Sequence, residues 1–132
     1  MTLEQKRAAL AFEHVQELKS QEKKERDRYG SMAHKLPVLI RTAGLCQTVH
    51  FVKSRNKPTL NKLLDHLALQ LGRTDSSIKA GESLCSTVRN APLTTYLWLT
   101  REALASAAWY ARLAQSELDF VPGTEVQDEP DE

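Results

Sequence analysis

The sequence predicts an all-α fold, a single-domain bundle of about five helices. Three observations carry this reading. Apolar residues recur at helical spacing through most of residues 3–118. The β-branched residues are scattered and never sustain a period-2 alternation. The interruptions fall at Gly, Pro and Asn, with capping residue types beside them. A length of 132 residues suits one domain with a real core. Residues 1–120 form the bundle in this reading, and 121–132 a disordered acidic tail.

The first helix is expected near 3–28. Ala8, Ala11, Phe12, Val15 and Leu18 keep i, i+3, i+4, i+7 spacing. Beyond Lys19 the stripe gives way to SQEKKERDR, where Glu22/Arg26 and Lys23/Asp27 pairs support an exposed helix by only ~0.2–0.5 kcal/mol each. Gly30 suits a left-handed cap that ends it. Ser31 then caps a second helix over 32–54, kinked at Pro37. A third helix is expected over 59–72, capped by Thr59, striped by Leu60, Leu63, Leu64, Leu67 and Leu71, and stopped by Gly72. A short fourth helix over 76–89 uses Ile78, Leu84, Cys85 and Val88, with Gly81 weakening it. After Asn90-Ala91-Pro92, Thr94 caps a last, alanine-rich helix to about Leu118.

On a helical wheel, residues 35–55 are apolar on two arcs, one with Leu36, Leu39, Ile40, Ala43, Cys46 and His50, the other with Val38, Leu45, Val49 and Val52. Such a helix is central to a bundle. A polar slot remains with Arg41, Thr48 and Arg55, placing the two arginines ~21 Å apart at ~1.5 Å per residue. In the last helix, Leu93, Leu97, Leu104, Ala108 and Ala111 form the main stripe. Trp98 and Trp109 share a second face, and Tyr96, Leu99, Ala103 and Tyr110 a third. Trp98, Trp109 and Tyr110 are therefore candidates for a protein interface, the alternative being ordinary core aromatics.

Net charge is only +1, but it is unevenly spread. Residues 35–79 hold eight bases against Asp65 and Asp75, whereas 117–132 hold seven acids and no base. A basic middle suits an anionic partner, although a solvated basic face is as common. Lys35, Arg41, Lys53, Arg55 and Lys57 are the candidate phosphate contacts. Arg41 or Arg55 could instead pair with an acid such as Glu102 or Asp65.

No catalytic constellation is visible. Cys46 and Cys85 form no CxxC pair and sit in apolar patterns, which favours buried free thiols over a disulfide or zinc site. No two of His14, His34, His50 and His66 stand at i, i+3 or i+4, so no metal site is expected, and His50 reads as a hydrogen-bonded core histidine. The five glycines are isolated, with no phosphate loop among them. No cofactor is expected. The charged N-terminus and the absence of a ~20-residue apolar run point to a soluble, cytoplasmic protein with no membrane partner.

Residues 29–53, YGSMAHKLPVLIRTAGLCQTVHFVK, resemble the small α-helical subunits of the Cmr complex, the type III-B CRISPR effector. The family's run is close to Y-G-S-L-A-H-K-L-P-x-L-I-x-x-N-G-L-x-Q-T-L-A-F. LLDHLALQLG and the final TREAL…W…A…EL segment resemble it more weakly. Ala43 stands where the family usually has Asn, and Cys46 where it commonly has Ala, so no contact made by that Asn carries over. The resemblance implies a non-catalytic subunit of an antiviral complex that stacks with neighbouring copies of itself in a minor filament. It would pack against the backbone and large subunits, beside guide RNA and target RNA. A helical protein–protein adaptor with no nucleic-acid contact is the competing reading, and a small hydrolase using a buried Cys or His the third.

Overall fold

The computed structural model describes residues 1–124 and 126. Most of the segment read as an acidic tail, residues 125 and 127–132, lies outside the described residues. Among the described residues there are six helices and no strand: α1 Leu3–Gln16, α2 Lys23–Ala43, α3 Leu45–Ser54, α4 Pro58–Leu71, α5 Gly81–Asn90 and α6 Leu93–Glu117. The all-α class is as the sequence predicts. The first two predicted helices are instead three, for two local reasons.

The first concerns residues 17–22. Thr2 opens α1 with a capping box, accepting from the Gln5 N–H at 3.1 Å while its own N–H donates to the Gln5 side chain at 2.8 Å. After Gln16 the chain tightens into i→i+3 turns, with Leu18 N–H donating to Val15 O and Gln21 N–H to Leu18 O. Leu18 is buried there. Both α1 and α2 pack along α6. A straight 3–28 helix, ~39 Å long, could not fold both halves onto one neighbour, so the chain turns back. Gly30, expected as a terminator, lies inside α2 and is buried. A Cβ at this position would stand 2.6 Å from Cγ of Phe120, so the missing side chain is the space that Phe120 fills. Pro37 is carried within α2.

The second break is at Gly44, which has φ +88° and ψ 159°, a region that residues with a Cβ hardly enter. It is both the end of α2 and the start of α3. Tyr96 of α6 accepts from the Cys46 N–H at 3.0 Å, satisfying one of the orphan donors at the new N-terminus.

α4 starts with Pro58 at a first-turn position, and the Thr59 hydroxyl donates to Glu25 of α2 instead of capping. This helix, and not the 35–55 segment, is central: it touches every other helix and has nine of its 14 residues buried. Residues 72–80 form turns. There Asp75 accepts from the Ser77 N–H at 2.9 Å, and α5 begins only at Gly81, whose N–H donates to Asp65 at 2.7 Å. The face that α6 buries is Leu99, Glu102, Ala103, Ser106, Ala107, Tyr110 and Ala114, the third face of the wheel. Its alanines let α1 and α2 approach closely. The expected main stripe is partly outside, with Leu93 at 73% and Leu97 at 58% exposure.

Candidate nucleic-acid interface and the buried polar centre

The five candidate cations do not share one helical slot. Because Gly44 separates α2 from α3, Arg41 lies in the last turn of α2 and Arg55 caps the end of α3. Thr48, placed by the wheel between them, is buried. Arg41 is exposed and Arg55 half-buried, with its guanidinium 6.0 Å from the Phe51 ring centroid. Lys53 is exposed and bonded to Glu82, a contact that raises the lysine pKa and lowers that of the glutamate. Lys57 is 7% exposed, so it does not offer its charge on the surface as the sequence suggests. The two acids considered as partners for the arginines are engaged elsewhere. Glu102 takes Arg7 at 2.6 Å and Arg73 at 3.4 Å, and Asp65 takes the Gly81 N–H.

Lys35 and Arg55, 20 positions apart in sequence, border one cavity of about 310 Å³. Arg28 and His34 also line it. Arg28 escapes the sequence reading because Gly30 looks like a helix end, which assigns Arg28 and Lys35 to different elements. Once α2 is continuous, Arg28, Ser31, Met32 and Lys35 fall at i, i+3, i+4 and i+7 on one face.

The aromatic candidates divide. Trp98 is 57% exposed, with Arg101 stacked 5.3 Å from its ring centroid. It adjoins exposed Leu93 and Leu97 on the first turns of α6. Trp109 is half-buried, with its indole N–H donating to Glu4. Tyr110 is fully buried and is no interface residue. It faces inward because it anchors a buried polar centre.

That centre joins four helices. The Tyr110 hydroxyl donates to the His66 carbonyl at 3.2 Å and accepts from Gln70 Nε2 at 3.1 Å. It also lies 2.7 Å from His14 Nδ1, which is thereby assigned the proton. The Tyr29 hydroxyl lies 2.7 Å from His66 Nδ1, and His66 Nε2 lies 3.3 Å from Glu17. Burial lowers the His14 pKa. Burial, with the neighbouring His14, lowers that of His66 to about 4 against the pull of Glu17. Burial raises Tyr29 and Tyr110 far above an ordinary phenol. His14, Glu17 and His66 bring three ligand-type atoms within 4.8 Å of one another, a grouping that sequence spacing could not reveal. The two imidazoles, however, are stacked at 4.1 Å with planes 6° apart. Their in-plane lone pairs run side by side and do not converge on a point ~2.0 Å from each, as a zinc ion requires. The arrangement is that of a structural hydrogen-bonded pair. His50 differs from expectation too: it is half-buried, and its Nε2 has no hydrogen-bond partner among the described residues.

Cys46 and Cys85 are free thiols, and burial raises the Cys85 pKa. No described helix is long and apolar enough to cross a membrane.

Residues 3–117 match the family described as CRISPR-associated protein (Cas_Cmr5). The chain is 44% identical over 109 residues to the CRISPR system Cmr subunit Cmr5 of Thermus thermophilus, covering 83% of this chain and 90% of that protein. It also matches the crystal structure of a CRISPR-associated Cmr5 family protein from the same organism. The TM-score is 0.78 at 42% identity, covering 88% of this chain and 97% of the other.

Proposed function

Because the chain belongs to the Cmr5 family of CRISPR-associated proteins, we propose that it is a non-catalytic small subunit of a cytoplasmic Cmr complex, one that stacks with copies of itself and helps hold guide and target RNA. The observation that carries this is the family match across residues 3–117, which spans all six helices. The placement of charge supports it. Lys35 and Arg41 are exposed, Arg55 is half-buried and Lys53 is exposed beside its partner Glu82, so the α2–α3 side presents cations at several points. Cations of this kind meet RNA through phosphates, with sequence left to base pairing with the guide. The exposed Leu93, Leu97 and Trp98 supply an apolar patch suited to docking on a neighbouring subunit. In this reading, target cleavage belongs to other subunits.

The test is Arg41→Glu combined with Arg55→Glu. Arg41 lies on the surface and Arg55 at a helix end, so the isolated fold persists. The assembled complex should capture target RNA more weakly, to a similar degree for all guide-matched sequences. The salt dependence should flatten by roughly 0.7–0.9 in log–log slope per lost contact. Unchanged RNA capture by a complex that contains the variant at full occupancy would favour the adaptor reading.

A further inference from the structure

The cavity of about 310 Å³ beside α2 is one-sided in charge. Arg28, Lys35 and Arg55 line it together with the exposed His34, and no acid lines it among the described residues. Arg28 is buried and its charge is offset by Glu25 at 2.7 Å. Lys35 is exposed and Arg55 half-buried, so these two cations set the sign of the rim that solvent reaches.

Part of the wall is the chain itself, after α6. Leu118 and Phe120 are buried, the latter in the space that Gly30 leaves, and they fix where the chain departs from the bundle. Residues 121–124 then turn, with Thr124 N–H donating to Val121 O at 3.0 Å and Gly123 at φ +91°. This turn brings Gly123, Thr124 and Val126 to the cavity that Lys35 and Arg55 border. The sequence that follows Val126 is QDEPDE, four acids in six residues and no base. Six residues reach at most ~20 Å, ample for a residue lining the same cavity. A segment joined to the cavity wall by so few bonds meets those cations at an effective concentration in roughly the millimolar range.

We propose that residues 127–132 dock in cis on the Lys35–Arg55 rim of this cavity and compete there with RNA phosphate. Carboxylate and phosphate are both anionic oxygen acceptors that lysine and arginine take by charge, so the two exclude one another from the same cation. The docking stands on the cavity and the chain's path to it. The competition rests on the function proposed above.

The experiment has two arms, both on the full chain. In the first, a carbodiimide couples carboxylates to amines in contact with them, and peptide mass spectrometry locates the links in a mixture of 14N- and 15N-labelled protein. Lys35 should be joined to a carboxylate of residues 127–132 from the same isotope, and oligouridylate should suppress the link. Lys6, exposed beside Arg7 and hence near Glu102, 15 positions before the end of α6, should couple to that segment far less. Absence of the Lys35 link overturns the docking, as does a Lys6 link of equal yield. Links between isotopes alone overturn it in favour of a second copy. In the second arm, Asp128→Asn with Glu129→Gln should tighten oligouridylate binding at low salt by about fivefold, the scale of an exposed ion pair or two, with the gain fading at high salt. Glu13→Gln with Glu22→Gln removes the same charge from exposed residues that do not line the cavity, and should give a smaller gain. Equal gains, or none, overturn the competition while a Lys35 link keeps the docking. Binding too weak to measure in every protein overturns the competition in the single chain, and the RNA reading is judged separately by Arg41→Glu with Arg55→Glu in the assembled complex.

Discussion

Single residues in the buried polar centre illustrate how much one hydroxyl can organise. Tyr110 serves His14, Gln70 and the His66 carbonyl from within the core. Tyr110→Phe keeps the ring but strands the buried His14 Nδ1–H and one Gln70 donor. We expect a loss of about 1–3 kcal/mol in a urea titration; an unchanged midpoint would show that the network contributes nothing net. The same centre sets a pH dependence. His14 and His66 face each other from α1 and α4, with Glu13, Glu17, Lys62, Tyr29 and Tyr110 around them. Their folded pKa values are lowered, so the unfolded chain binds protons first as pH falls. Stability is therefore fully present above the unfolded value of about 6.5 and is lost as pH drops towards about 4. The melting temperature should be flat from pH 7 to 8 and fall through that window, and His66→Gln should blunt the fall. Asp75, lowered by its bonds to Ser77, acts only in the more acidic range below its ordinary value of 3.8.

Helices here are delimited by tertiary contact as much as by their own residues. Gly30 reads as a helix stop in isolation, but Phe120 needs its vacancy inside α2. Gly30→Ala gains about 1 kcal/mol of helix propensity. It also places a methyl group 2.6–2.9 Å from the Phe120 ring and Cβ, an overpacking costing about 1–3 kcal/mol. The clash involves atoms close to the Phe120 backbone, which have little room to move, so the variant should unfold at lower urea. A raised midpoint would mean that propensity outweighs packing. The same glycine hides Arg28 from the sequence: a wheel drawn over residues 35–55 does not include it. At Gly44 the difference runs the other way, since the residue reads as a packing notch within a helix and proves to be a break with positive φ.

Among the described residues the molecule buries one core and leaves one end of α6 largely exposed. Leu93, Leu97 and Trp98 are each more than half exposed, because α6 turns Leu99, Ala103, Ala107 and Tyr110 inward instead. Leu97→Asp with Trp98→Ser should therefore leave the melting temperature within a few degrees of the parent. It should reduce co-purification with the other subunits of the complex. Normal incorporation of that variant would remove the patch as a docking surface, leaving the α2–α3 side as the interface to examine.

The sequence by itself determined the helical class, the leucine stripe of α4 and the family, through the contiguous run 29–53. These are written in local periodicity and in adjacent residues, which no distant contact can alter. It also exposed the basic middle, since charge is a matter of composition. Only the tertiary structure decided which face of α6 is buried, because that helix is apolar on three sides and the choice depends on what packs against it. Only tertiary structure brought His14 to His66, 52 positions away, or Arg55 to the cavity of Arg28 and Lys35. Such pairings are set by how helices cross, and crossing geometry depends on side-chain volumes summed over several elements, information that no single segment of the chain contains.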